Sequence, residues 1–297
     1  MTDFWKEYQV KEGEKVNLKK WDTSYEGALT KEEVYDHLLP ENGVALQEGQ
    51  ARLFADNRYG VLIVLQAMDA AGKDGLIKRV FTYLNPQGTV VTPFKVPTRT
   101  ELDHDYLWRC NLALPSRGNI AIFNRSHYED VLVTQVHNLV EHSQLPEELV
   151  DEDIWKRRYE EIKNWETYLV DNGIVILKFF LHVSKEEQAE RLLDRIEQTE
   201  KNWKFSDGDI QERAYWADYQ RIYEKMMSET STKKAPWFII PADRKWYTRY
   251  VVSEIVKEQF DRLKLSFPTL PKAERAKMDE ARAQLRKDLG LADEAEG

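Results

Sequence analysis

The chain has 297 residues, 42% apolar and 32% charged, which is enough to bury a sizeable core and argues against wholesale disorder. Its formal net charge of −9 argues against a broadly basic nucleic-acid binder. It does not exclude a polyanionic ligand, because a cleft can be locally positive on an acidic protein.

A single cysteine, Cys110, rules out an internal disulfide and points to a reducing compartment. The stretch MTDFWKEYQVKEGEK has no apolar run resembling a signal peptide. No segment approaches the roughly 18 apolar residues that span a membrane. A soluble cytoplasmic protein is expected.

Residues 31–57 read as a helix that precedes the first strand. Five apolar runs follow: YGVLIVLQA (59–67), GTVVTPF (88–94), GNIAIFN (118–124), GIVILKFFLHV (173–183) and PWFIIPA (236–242). Four are near-continuous rather than alternating, as in parallel strands buried on both faces; the second is weaker. Helix-like segments lie at 73–84, 100–113, 126–140, 151–171, 185–200 and 209–228. Strand–helix alternation predicts an α/β layered fold with a five-stranded parallel sheet. Thr30–Glu33, Ser126–Glu129 and Ser184–Glu187 each have the spacing of a capping box. After Pro271 the composition turns to Ala, Lys, Glu and Arg, a charged helical tail over 271–297.

The segment LQAMDAAGKDGL (65–76) approaches the phosphate-loop pattern of Gly, four residues, Gly, Lys and Ser or Thr. Gly72 and Lys73 are in place. Ala67 stands where the first Gly belongs, and Asp74 where a metal-binding hydroxyl belongs. The segment follows a buried strand and opens a helix, where backbone N–H groups cradle phosphate oxygens. Ala70, Ala71, Gly72, Lys73 and Asp74 are therefore expected around a phosphate, with Lys73 reaching a phosphoryl group. Asp74 reads equally well as a first-turn carboxylate favoured by the helix dipole. Asp69 inside such a loop is repulsive unless a cation intervenes, which makes it the candidate Mg²⁺ ligand.

The third strand ends at Asn124, where an acidic metal ligand is usual, and Arg125 follows at the carboxyl edge of the sheet. A guanidinium there suits phosphate oxygens. Glu129 reads as the partner of Ser126 in the capping box, and spacing alone gives it no catalytic role. Arg191 and Arg195 share a helix face, and Lys201 and Lys204 bracket Trp203. Basic residues at the tip of a helix pair suit a closing lid over about 185–232, although interleaved acids also suit a solvated face.

Together DAAGKDG, NPQG, ELDHDYLWR, FNRSHYEDV, KNWKFS and IPADRKWYTR resemble the polyphosphate kinase 2 family over roughly residues 20 to 265. The resemblance implies a P-loop kinase-like three-layer α/β/α domain over 1–270 with a helical lid. It implies Mg²⁺-dependent, reversible phosphoryl transfer from inorganic polyphosphate to a nucleotide, with two Mg²⁺ ions, Mn²⁺ as a substitute, and a homodimer or homotetramer. FNRSHYED is similar to the subgroup that phosphorylates both AMP and ADP, giving ADP and ATP; other subgroups have DRSWYNR, with Asn at the position of Glu129. By this likeness Asp69 binds metal, and Lys73 and Arg125 contact phosphate. Arg191, Lys201 and Lys204 contact polyphosphate or nucleotide, and Glu129 shifts towards catalysis. Asp103, His104 and Asn124 fall near the nucleotide, adenine or alternatively guanine. Two rival readings are an ATP-dependent nucleoside monophosphate kinase and a non-catalytic nucleotide-sensing protein. No nucleic acid or membrane partner is expected.

Overall fold

The computed structural model describes residues 3–291, apart from the side chain of His142. The chain divides into two compact units, 1–265 and 266–297. Five strands build the first: β1 (Gly60–Ala67), β2 (Thr89–Pro93), β3 (Ile120–Asn124), β4 (Ile174–His182) and β5 (Trp237–Pro241). All pairings are parallel, in the order β2-β3-β1-β4-β5.

All eight residues of β1 and all five of β5 are buried, which explains their continuous apolar spelling. β2 is one of the two edge strands and lies open to solvent, with Val90 61% exposed, and its apolar signal is accordingly weaker; β5, the other edge, is buried. The register pairs Leu65 with Asn124 and Ala67 with Leu181. The carboxyl ends of β1, β3 and β4 therefore lie together, at the point where the strand order reverses. Open α/β sheets bind their ligands at such a place.

The main helices are α1 (Leu39–Asp56), α2 (Lys73–Val80), α3 (Ile154–Asp171), α4 (Lys185–Glu197), α5 (Asp207–Glu212), α6 (Trp216–Thr230), α7 (Lys245–Arg262) and, in the second unit, α8 (Lys272–Asp288). Helices α1, α2 and α7 pack together, and α3 packs with α6. A Cβ on Gly49 would lie 2.4 Å from the Phe260 ring, so α1 and α7 approach too closely there for any other residue. The helix expected over 31–57 runs without interruption over 31–56 and widens to a π-turn at Val34–Leu38. Pro40 supplies no N–H and its ring crowds the preceding turn, and the wider turn absorbs both effects. The helices expected over 100–113 and 126–140 are each short pieces, Arg99–Leu102 with Trp108–Leu112, and His127–Val131 with Val133–Val136.

The expected capping boxes form only in part. Thr30 accepts from the Glu33 amide (3.1 Å). Ser184 accepts from the Glu187 amide (3.1 Å), but the Glu187 carboxylate turns to Arg191. At 126–129 the turn is a tight 3₁₀ helix, so Ser126 Oγ takes the Tyr128 amide (3.2 Å) and Glu129 makes no box. Both halves do form at Thr98 and Glu101.

The N-terminal aromatic arm packs on its own domain. Val10 N donates to Trp237 O (2.9 Å), and Gln9 bridges Phe238, covering part of the β5 edge. Trp5 meets the Phe238 ring edge-on at 4.8 Å, and Tyr25 stacks on Tyr247 at 3.9 Å. Trp5→Ala leaves a cavity against β5 and is expected to lower stability by about 3 kcal/mol, checked by denaturant unfolding; a loss below about 1 kcal/mol refutes this packing account.

Candidate phosphate-transfer site

β1 runs through Ala67, so that position is still paired strand and needs no glycine. The chain then bends through two left-handed residues, Ala70 (φ +62°) and Gly72 (φ +112°), into the first turn of α2. A non-glycine residue at positive φ is strained, and such strain collects at functional sites.

Lys73 is buried and curls back over the loop, donating to Ala67 O (2.9 Å) and Met68 O (3.5 Å). Burial and Arg125 hold its pKa below the ordinary lysine value, against the pull of Asp69, Glu129 and Asp74. Arg125 also has a left-handed backbone (φ +63°), and its amide donates to Leu65 O (3.1 Å), folding the end of β3 over β1. Its guanidinium meets Asp69 Oδ1 at 2.5 Å. Asn124 Nδ2 donates to Asp74 Oδ1 at 2.7 Å, tying the end of β3 to the start of α2.

Glu129 is freed from any capping duty and lies beside Arg125 and Lys73. Burial raises its pKa while those cations lower it, and burial wins. Behind it, Tyr128 is locked in the core. Its hydroxyl donates to Glu166 Oε1 (2.7 Å), and buried Lys178 bridges Glu166 (2.5 Å), the Tyr128 hydroxyl (3.0 Å) and Thr230 O (2.8 Å). Every lysine N–H has a partner, the condition under which a buried charge is tolerated.

Residues 69–75, Asn124 and Arg125 open into a cleft of about 770 Å³ between the loop, the end of β2, the segment 191–209 and the start of α7, and Glu129 is not among its lining residues. Nine lysines and arginines line it against four aspartates, on a protein of net charge −9. Lys201 and Lys204 line it, with Trp203 79% exposed between them. Arg195 Nη1 rests on Asp209 Oδ2 (2.5 Å), Lys201 on Asp194 (3.3 Å), and Lys204 over the Trp203 ring (5.0 Å).

Arg191, an expected phosphate contact, has a different task. Its Nε donates to Glu187 (2.6 Å), Nη1 to Ala71 O (2.7 Å) and Ala70 O (3.2 Å), and Nη2 to Ala242 O (2.6 Å) and Asp243 O (2.9 Å). All five N–H groups are spent, and none remains for phosphate. Asp103 and His104 line not the cleft but a second hollow of about 810 Å³, with Arg109, Asp130, Arg157 and Arg158. The larger hollow lacks the phosphate loop. The two are adjacent: Arg109 Nη1 donates to the carbonyl of Lys95 (2.8 Å), whose residue lines the cleft.

Lys95, Lys245 and Arg249 also line the cleft and carry no role in the sequence reading. Burial, with Arg191, Lys201 and Arg249 nearby, holds Lys245 below the ordinary lysine range, a sign of crowded positive charge. Lys245 and Arg249 stand four apart at the start of the helix after β5, a spacing that could have marked them.

Among the described residues no cluster of three or more His, Cys, Asp or Glu could cage a metal. Asp69 is one carboxylate of the phosphate loop on the cleft wall. That fits Mg²⁺, which takes one or two carboxylates and fills its sphere with water and phosphate. It does not fit a metal needing an all-protein cage.

The fold and loop define a P-loop kinase-like phosphotransferase. A sequence profile of the polyphosphate kinase 2 family matches residues 28–267, and the chain belongs to that family. It is 46% identical over 284 residues to the ADP-polyphosphate phosphotransferase of Rhodopseudomonas palustris, covering 95% of this chain and 98% of that one. It is 44% identical over 267 residues to the AMP/ADP-polyphosphate phosphotransferase of Meiothermus ruber, covering 89% and 95%. The crystal structure of polyphosphate kinase 2 from Arthrobacter aurescens TC1 superposes with a TM-score of 0.84 at 36% identity, covering 94% of this chain and 97% of that one.

Replacing Arg191 by Lys strands several carbonyl groups, since an ammonium cannot reach both the loop and the end of β5. A stability loss of about 2–4 kcal/mol is expected by thermal or urea unfolding; an unchanged midpoint is incompatible with the clamp. Asp130, buried between Arg109 (3.9 Å) and Arg158 (3.7 Å), has its pKa pushed up from 3.8 to about 6 by burial, which outweighs both arginines. Its folded pKa is raised, so the fold holds this proton more tightly than the unfolded chain, and its contribution to stability falls as pH rises from 3.8 to about 6. Carboxyl NMR titration should give a midpoint near 6, and Arg158→Met should move it higher; a midpoint at 3.8 contradicts this.

Proposed function

We propose that this protein transfers phosphoryl groups from inorganic polyphosphate to AMP and ADP, giving ADP and ATP, in a reversible Mg²⁺-dependent reaction. The observation that carries this reading is the inversion of charge: an acidic protein concentrates its cations around a phosphate loop. The names of the Rhodopseudomonas and Meiothermus relatives support it.

Phosphoryl transfer asks for positioning and charge neutralisation more than for covalent chemistry. On this reading Lys73 leaves the carbonyls of Ala67 and Met68 for a phosphoryl oxygen. Arg125 exchanges Asp69 for phosphate, and Glu129 keeps both cations aimed. Arg195, Lys201, Lys204, Lys245 and Arg249 hold the rest of the polymer. Asp69, released from Arg125, holds Mg²⁺; when bound, the metal offsets the charge of facing phosphates, and two ions with Mn²⁺ as a substitute are the expectation. The acceptor phosphate is already ionised and needs no strong base. The nucleoside lies towards Asp103 and His104 in the second hollow, its phosphates directed past Lys95. A homodimer or homotetramer in the cytoplasm is the accompanying proposal. Among the described residues no helix is long and apolar enough to cross a membrane.

Incubation with AMP, Mg²⁺ and long-chain polyphosphate, without ATP, should yield ADP and then ATP. Product formed only after ATP is added makes it an ATP-dependent nucleotide kinase instead. Lys73→Ala and Asp69→Asn should each lower kcat by at least about 10²-fold with the far-UV circular dichroism unchanged; near-normal turnover in either removes it from the machinery.

A further inference from the structure

The phosphate loop is held from behind. Three consecutive carbonyls, of Asp69, Ala70 and Ala71, are taken by two side chains of α4. Gln188 Nε2 donates to Asp69 O at 2.9 Å, and Arg191 takes the other two. A peptide unit is planar and trans, so fixing a carbonyl fixes the next N–H in the opposite direction. The Asp69 carbonyl thus aims the amide of Ala70, and the Ala71 carbonyl aims that of Gly72. Among the described residues neither amide is bonded to another protein group, so both remain donors for a ligand in the cleft.

Gln188 is buried and engaged at both ends. Its Oε1 accepts from Arg213 Nη1 at 2.6 Å, and that nitrogen also donates to Lys185 O at 3.0 Å. A donor partner at one end and an acceptor at the other leave the amide one orientation. Arg213 lies in the turn between α5 and α6, on the returning arm of the basic segment. A continuous path therefore runs from that arm through Gln188 to the residue that bears the Arg125 ion pair.

We infer that Gln188 is a positioning residue for the phosphate loop, and that Arg213 couples its grip to the position of the arm that returns through α5 and the turn after it. When that arm carries Arg213 into place, Gln188 is held, the Asp69 peptide is turned, and the Ala70 amide faces the cleft. When Arg213 withdraws, the amide of Gln188 is free to rotate and the loop loses one of its three carbonyl anchors. This rests on the reading of the loop as the phosphate site, and it assigns no new group to the chemistry.

The test uses tripolyphosphate binding by calorimetry in EDTA, on the full chain, with kcat, KM and the Mg²⁺ requirement measured alongside. Gln188→Leu should weaken tripolyphosphate binding about ten-fold and raise the Mg²⁺ concentration for half-maximal rate. Arg213→Met, which leaves the Gln188–Asp69 bond possible and is the fallback if Gln188→Leu does not fold, should show a smaller loss of the same kind. It should add nothing in the Gln188→Leu background. Unchanged tripolyphosphate binding in both variants, or fully additive losses, overturns the relay. A fall in Tm alone, with binding and Mg²⁺ requirement intact, overturns it too. A wild-type protein that binds tripolyphosphate but transfers nothing would reject the proposed reaction and leave the relay standing.

Discussion

Like charges repel, and this site must gather many of one sign before any substrate arrives. Two cations 4 Å apart repel by about 4 kcal/mol at the effective dielectric of a protein surface. The structure meets this by resting the central cations on internal acceptors. Lys73 lies on strand-end carbonyls, Arg125 on Asp69, Arg195 on Asp209 and Lys201 on Asp194. The cleft is thus a set of reversible pairs. On the proposed function, a phosphate chain entering it would exchange one anion for another instead of filling an unbalanced field.

The sheet decides where those pairs can exist. Parallel register sets the ends of β1 and β3 side by side, and the left-handed residues at 70 and 125 then turn their side chains towards each other. Neither position is a glycine, so both bends are imposed by surroundings: strand pairing on one side and the α4 side chains on the other. The buried Lys178–Glu166–Tyr128 group stiffens the floor beneath Glu129. Local strain is maintained by rigid neighbours.

How much of this was legible follows from the range of each interaction. β1, β4 and β5 declare themselves because burial on both faces writes a continuous apolar run; β2 at the edge has no such constraint. Lys73 and Asp69 are legible because a strand–loop–helix turn is a local object. Arg191 reads from sequence as a phosphate contact and in the structure lines the cleft with its guanidinium on five protein acceptors, because charge type does not reveal which partners a guanidinium faces. Lys95 carries no local mark of the cleft and reaches it only when the sheet closes, whereas Lys245 and Arg249 carry only their four-residue spacing at a helix start. The capping boxes show the converse limit: the spacing is present at 126–129 and 184–187, but a tight 3₁₀ turn prevents the first and Arg191 takes Glu187 from the second.

Cys110 is fully buried, and that burial pushes its thiol up to about 12. Only the thiolate attacks oxidants, disulfides or alkylating agents, and at neutral pH this sulfur has almost none. It serves as a small apolar core atom. The lone cysteine, which from sequence suggested a reducing compartment, therefore places no such demand on the folded chain: nothing in this thiol would be lost in an oxidising one.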